Sequence, residues 1–240
     1  MKYRFIILLI FILFACQRKA DRNSSNDTNF VENGVVKKYD EQNKLSAEIT
    51  YQNGVRNGAA RYYYSSGALS DEIMYVDDEK NGVAKKYHKN GNIYSLTPYI
   101  NDEKDGIQKK YYDNGKIWAE TSYMKGQPGI GLKEYKRDGS LRKKFPKIEI
   151  EKFIKSDRIV LKLFLSNYSK NVIFYVTELM KDKYIPLMAK PLYAKGGSAR
   201  YEFLLTPKSR IDTSLTIVAK YQTKDYNIFV SKREVKLKMK

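Results

Sequence analysis

The side chains that most often do chemistry are scarce in this 240-residue chain. It holds one His, His88, and one Cys, Cys16. One of each leaves no His-based triad, no Cys–His nucleophile pair and no zinc site built from those ligands. His88 follows Tyr87 beside a turn and reads as an exposed turn residue. Carboxylates are the remaining option. Asp77-Asp78-Glu79 and Asp102-Glu103 with Asp105 offer oxygen ligands to a hard cation. Lys80 and Lys104 stand beside them and their spacing matches no calcium loop, so they read as solvated turn charges. The stretch from Gly126 through Gly129 to Gly131 has the glycines of a phosphate loop but neither its Lys-Ser/Thr ending nor a following helix, and reads as a turn. We expect no catalytic residue, no metal ligand and no cofactor, and therefore a protein that is not an enzyme.

What remains is contact chemistry, and its carriers are set out by a repeat. Gly34, Gly58, Gly82 and Gly106 are spaced by 24 residues. So are Tyr39, Tyr63, Tyr87, Tyr111 and Tyr135, and Tyr51, Tyr75, Tyr99 and Tyr123. Gly67, Gly91, Gly115 and Gly139 keep the same step, with Asn43 in the first unit, as do Leu45, Leu69, Ile93, Ile117 and Leu141. A fixed period of this length means stacked supersecondary units. Each reads as a β-hairpin, because Asn-Gly pairs favour the left-handed conformations that tight turns need. Alternation along a strand puts Leu45, Ala47, Ile49 and Tyr51 on one face and Ser46, Glu48 and Thr50 on the other. Glu48, Glu72 and Glu120 recur with the repeat and are expected to face Lys or Arg across the sheet. Pro98 lacks a ladder donor, so a bulge or exposed edge is expected there.

A Tyr series at one point in every unit can serve packing or contact; its regularity favours packing. The positions that vary between units are the better contact candidates: Trp118, Tyr94, Tyr62 and Tyr112. Trp118 is the only Trp, and simple alternation places it on the mostly polar face with Ser46 and Ser70. An exposed aromatic there marks a binding surface.

The pattern Asn-Gly…Tyr…Asn-Gly-Lys/Asn-Leu/Ile…Tyr resembles the MORN repeat, in the bacterial variant of YwqK-type antitoxin proteins, over about residues 33–145. The fifth unit departs from it: Ile130 stands where Gly is expected, and Lys147 replaces the last Tyr. Terminal units of arrays are often atypical because they cap the stack. The resemblance implies a protein-binding module, with a toxin as partner.

The N-terminus has a different character. Lys2 and Arg4 precede an unbroken apolar run, Phe5 to Ala15, too short for a membrane helix of about 20 residues and suited to a signal peptide. Leu13-Phe14-Ala15-Cys16 resembles the lipobox of bacterial lipoproteins. That resemblance implies cleavage after residue 15, lipidation of Cys16, and a membrane anchor held by several acyl chains. Residues 16–33 are polar and read as a flexible tether. Surface-displayed lipoproteins tend to carry acidic residues after the cysteine; Arg18 and Lys19 here imply an envelope lipoprotein facing the periplasm.

After Pro146 the repeat stops. Short alternating stretches at 147–154, 158–166, 171–180, 199–206, 214–222 and 226–238 suggest a small β-sandwich. The expected fold class is all-β: five 24-residue hairpin units over 34–145, then a sandwich over 146–240. The formal charge is +18. Residues 34–145 carry 20 Lys and Arg against 15 Asp and Glu; residues 146–240 carry 20 against 9. A basic half suits an acidic neighbour, here an acidic protein, anionic lipid or anionic glycan, and nucleic acid is disfavoured by the exported address. The sequence thus points first to a protein-binding, immunity-type envelope lipoprotein. The second reading is a structural or assembly factor binding anionic lipid or glycan.

Overall fold

Each unit of the repeat folds as a hairpin because its turn residues tolerate the required backbone. In the third unit the Gly91 N–H donates to the His88 carbonyl at 2.9 Å and the His88 N–H to the Asn92 carbonyl at 2.8 Å. Gly91 sits at φ +85°, where a β-carbon is strained. Asn43, at φ +56°, takes the same place in the first unit, as short polar side chains can. Between units the chain turns through two left-handed residues, such as Asn101 and Asp102 at φ +49° and +63°. Such mirror-image turns match the twist of paired strands.

The computed structural model describes residues 32–205 and 211–239. The twelve strands of the first sheet are β1 (Gly34–Tyr39), β2 (Leu45–Gln52), β3 (Val55–Tyr63), β4 (Leu69–Val76), β5 (Glu79–Lys80), β6 (Gly82–Tyr87), β7 (Ile93–Ile100), β8 (Glu103–Lys104), β9 (Gly106–Tyr111), β10 (Ile117–Met124), β11 (Gln127–Pro128) and β12 (Lys133–Glu134). They form one antiparallel sheet in chain order. The second part contains β13 (Ile148–Ile154), β14 (Arg158–Leu165), β15 (Val172–Val176), β16 (Leu192–Tyr193), β17 (Ser198–Leu204), β18 (Ile211–Gln222) and β19 (Ile228–Met239). Strands β13-β14-β17 make one sheet and β16-β15-β18-β19 the other. Their facing residues, Leu161, Leu163, Phe174, Ile217 and Leu237 among them, are fully buried in one cluster. The expected all-β class is what folds, with no helix among the described residues.

Val31–Lys240 forms one compact unit, and the fifth repeat explains how. Ile130 packs with Ile185, Val218 and Val230 against the outer side of the four-stranded sheet, and its N–H donates to the Lys183 carbonyl at 3.0 Å. The residue that breaks the repeat pattern is therefore a joint, more than a cap. Cys16, the signal peptide and nearly all of the tether lie outside the described residues.

Aspartates of the links bond the backbone of the preceding link. Asp78 accepts from the Arg56 backbone N–H at 3.0 Å and from its Nε at 2.8 Å; Asp102 accepts from the Lys80 N–H at 3.0 Å. They tie each link to the unit before it while staying exposed in the turns, as solvated turn charges. Glu72 bonds Lys85 at 2.9 Å and Arg61 at 3.1 Å, and Glu48 and Glu120 lie 3.5 and 3.4 Å from Lys37 and Lys133. The cross-sheet pairing read from the repeat holds. Pro98 sits where the partner of β7 changes from β8 to β9; its carbonyl accepts from the Asp105 N–H at 3.0 Å. The missing donor falls at this interruption of the ladder.

Two expected results follow. A β-carbon on Gly106 would lie 2.8 Å from Pro98 Cγ, at φ +113°. Gly106→Ala is expected to lower stability by about 1–2 kcal/mol from the left-handed backbone alone, read as a lower urea midpoint at unchanged slope. The second concerns acid. The Tyr63 hydroxyl holds the Glu48 carboxyl below its ordinary 4.5, the Lys85 ammonium does so for Glu72, and Arg56 holds Asp78 below 3.8. Lowered carboxylates add stability above the unfolded values, and that contribution is lost as pH falls through the lowered ones. Thermal unfolding should give a Tm independent of these groups above about pH 5 and falling steadily below pH 4.5. A Tm unchanged from pH 6 to pH 3 would contradict this.

Candidate aromatic binding strip

The repeat generates an aromatic strip through a bulge. In β10, Ile117 pairs with Tyr111 and Ala119 with Lys110, so Trp118 has no partner in β9. The same extra residue occurs in every full unit: Ser46 between Leu45 and Ala47, Ser70 between Leu69 and Asp71, Tyr94 between Ile93 and Ser95. An extra residue resets the alternation of side chains. Trp118 accordingly lies beside Lys110, whose Nζ is 5.3 Å from its ring centroid. The simple alternation that placed Trp118 on the face of Glu48 and Thr50 is corrected by the bulge.

Three of the four candidate residues come together. Trp118 stacks on Tyr112 with centroids 5.7 Å apart, and Tyr94 lies 6.1 Å from Trp118. His88 meets Tyr94 edge-on at 5.1 Å. Arg137 covers Tyr112 at 5.7 Å. Tyr62 is elsewhere: it packs with Ala47, Ile49, Ala60 and Tyr75 in the core of the first two units. It belongs to the scaffold.

The strip is held by bonds that recur with the repeat. Tyr64 donates its hydroxyl to the Tyr87 carbonyl at 2.6 Å. Tyr112 does the same to Tyr135 at 2.8 Å. Between them, His88 Nε2 lies 2.9 Å from the Tyr111 carbonyl, a contact that requires the proton on Nε2. These three side chains sit at one repeat position and fasten the second, third and fourth units each to the next. His88 is half-buried in this chain of contacts, so its reading as an exposed turn residue is corrected. The equivalence of Tyr64, His88 and Tyr112 was visible in the spacing, and it was the available signal for this role.

Charge is arranged around the rings. Burial pushes the Lys110 ammonium pKa down, and its Nζ also donates to Asn227 Oδ1 at 2.9 Å. Lys86 pairs with Asp71 at 3.2 Å beside a shallow cavity that Tyr94, His88 and Tyr64 also line. The strip thus presents half-exposed rings, with the Tyr112 hydroxyl already bonded and cations at its flanks. Such rings offer area at low entropic cost, and among the described residues no cluster of His, Cys, Asp and Glu is arranged to hold a metal ion.

An array of bulged hairpins fastened unit to unit defines a β-hairpin repeat protein. Its class can be given more closely: residues 32–53, 80–101 and 104–125 match the MORN repeat variant. This repeat suggests a module that binds protein or lipid. The second unit folds as the same hairpin outside the matched segments, whereas the fifth, read as a full hairpin, keeps only the short β12 and a single Tyr135–Leu141 bridge. No curated protein and no solved structure matches the chain.

Proposed function

We propose that this protein is a non-catalytic, lipid-anchored binding module of the bacterial cell envelope, and that the Tyr94–Trp118–Tyr112 strip is its contact surface for a protein partner. The observation that carries the reading is the strip itself. The only Trp lies half-exposed at a position that the bulge permits to vary, stacked on Tyr112, whose hydroxyl is spent on the scaffold. Aromatic anchors flanked by cations are the usual centres of binding energy at protein interfaces. The likeness to YwqK-type antitoxins, which rests on the repeat alone, makes the partner a toxin whose active surface the strip covers. Residues 1–16 support the anchor: a charged start, an apolar run of signal-peptide length and Cys16. Replacing Cys16 with Ser should release the protein from the membrane fraction; a Cys16→Ser chain that stays membrane-bound would sink the anchor.

The test of function is capture of the native lipoprotein by mild crosslinking in its own cells, at low and high salt. One dominant protein retained at high salt is the expected result, and deletion of the gene should then raise sensitivity to that protein. A second reading, an envelope factor for anionic lipid or glycan, is favoured by the excess of Lys and Arg in residues 146–240. Retention that disappears at high salt would favour it, because exposed charges are screened within about 10 Å at 0.1 M.

A further inference from the structure

We propose a second binding site, for a small hydroxylated anion such as an acidic sugar, in the cavity between the fifth repeat and the sandwich. The cavity measures about 330 Å³ and opens between Arg142, Tyr221 and the chain around Phe145. Glu134 is 1% exposed and Tyr221 5% exposed, and both line it.

The argument begins with unsatisfied polar atoms. Five buried side-chain atoms lack a hydrogen-bond partner among the described residues; Glu134 Oε2, Arg142 Nε and the Tyr221 hydroxyl are three of them. All three belong to residues of this one cavity. Glu134 Oε1 is fully used, by Thr223 at 2.5 Å and Asn227 at 2.8 Å. Its Oε2 lies 3.1 Å from Arg142 Nε, a charge pairing without hydrogen-bond alignment. Buried polar groups are normally bonded, and leaving one unmade is costly. The cluster therefore offers a carboxylate acceptor beside a guanidinium donor and a phenol donor. One kind of atom answers all of them at once: a hydroxyl oxygen, which donates one bond and accepts two.

The mouth selects what carries that hydroxyl. Lys144 and Lys224 line the same cavity and are exposed. Neither forms an ion pair among the described residues, whereas Arg142 pairs with Asp225. Two unengaged ammoniums favour a carboxylate or phosphate at the entrance. The ring of Phe145, stacked on Phe229 with centroids 4.4 Å apart, forms a rigid apolar wall. A hydroxyl in the depth, an apolar ring face and an anion at the mouth describe one acidic sugar unit. The volume lies at the small end of ligand sites, about 300–1,000 Å³. This site is separate from the aromatic strip and does not depend on it.

The test is isothermal titration calorimetry of the full chain in detergent. The probes are glucuronic acid, glucose 6-phosphate, glucose and inorganic phosphate. We expect saturable binding of the two acidic sugars, at least tenfold weaker binding of glucose, and weaker binding of phosphate alone. Tyr221→Phe keeps the ring and removes a hydroxyl that no group among the described residues uses, so it should fold as the parent does and weaken the acidic sugars at least tenfold. Lys144→Ala with Lys224→Ala should remove the preference for acidic over neutral sugar. Glucuronic acid alone or glucose 6-phosphate alone would fix the anion as carboxylate or phosphate. Failure of all probes to bind, with a crystal structure showing one ordered water on the three atoms, would overturn the proposal. Binding unchanged in both variants would overturn it too.

Discussion

Replacing Glu134 with Ala is expected to cost this protein about 3–5 kcal/mol, the range for breaking a buried charge pair by removing one partner. Two groups lose their acceptor and a third its charge partner. Thr223 and Asn227 each donate to Oε1, and Arg142 lies against Oε2. Asn227 is itself buried and also receives Lys110 from the fourth unit. One carboxylate on β12 therefore fastens the array to the β18–β19 turn. Glu134→Gln keeps an oxygen for Thr223 and Asn227 and loses only the charge, so it should cost less, about 1–3 kcal/mol. Urea unfolding followed by Trp118 fluorescence and by far-ultraviolet circular dichroism would check both. Since the array and sandwich share this joint, Glu134→Ala should separate the two transitions where the parent shows one. A loss below 1 kcal/mol with coincident transitions would mean that Ile130 and its apolar neighbours hold the joint alone.

The part of the fold that follows from local chemistry was legible in the sequence. The period of 24, the glycines at left-handed positions and the alternation of apolar residues led to the hairpins and their order. The strands of the sandwich lie within a few residues of their expected bounds. The strand read at 214–222 begins earlier, at Ile211, because β18 pairs with β19 along its whole length. The bulges were not legible. An extra residue leaves no mark on composition, and simple alternation carried Trp118 to the wrong face. His88 was misplaced for a related reason: a turn residue reads as exposed unless its partner 23 positions on is known. The joint was hidden altogether. Asn227 is 93 positions from Glu134 in the chain, and nothing local in either neighbourhood says that they meet. What the sequence offered there was a negative signal, the departure of the fifth unit from its pattern at Ile130.

The strip can be tested with a substitution that the protein has already made elsewhere. Units one and two carry Ser46 and Ser70 at the bulge position that Tyr94 and Trp118 occupy in units three and four, in the same register. The hairpin thus folds with Ser at this point. Trp118→Ser should lower stability only by about 0.5–1.5 kcal/mol, the worth of the lost stacking on Tyr112. Its effect on partner capture should be much larger, at least about 30-fold, as for an anchoring aromatic worth about 2 kcal/mol. Trp118→Phe keeps a ring against Tyr112 and should retain most of the capture. Tyr62→Phe, in the core of the first units, should leave capture unchanged. These outcomes separate the two roles of an aromatic repeat residue. If Trp118→Ser instead costs more than about 3 kcal/mol, as core truncations do, and capture of the folded fraction is unchanged, Trp118 is scaffold and the contact surface lies elsewhere.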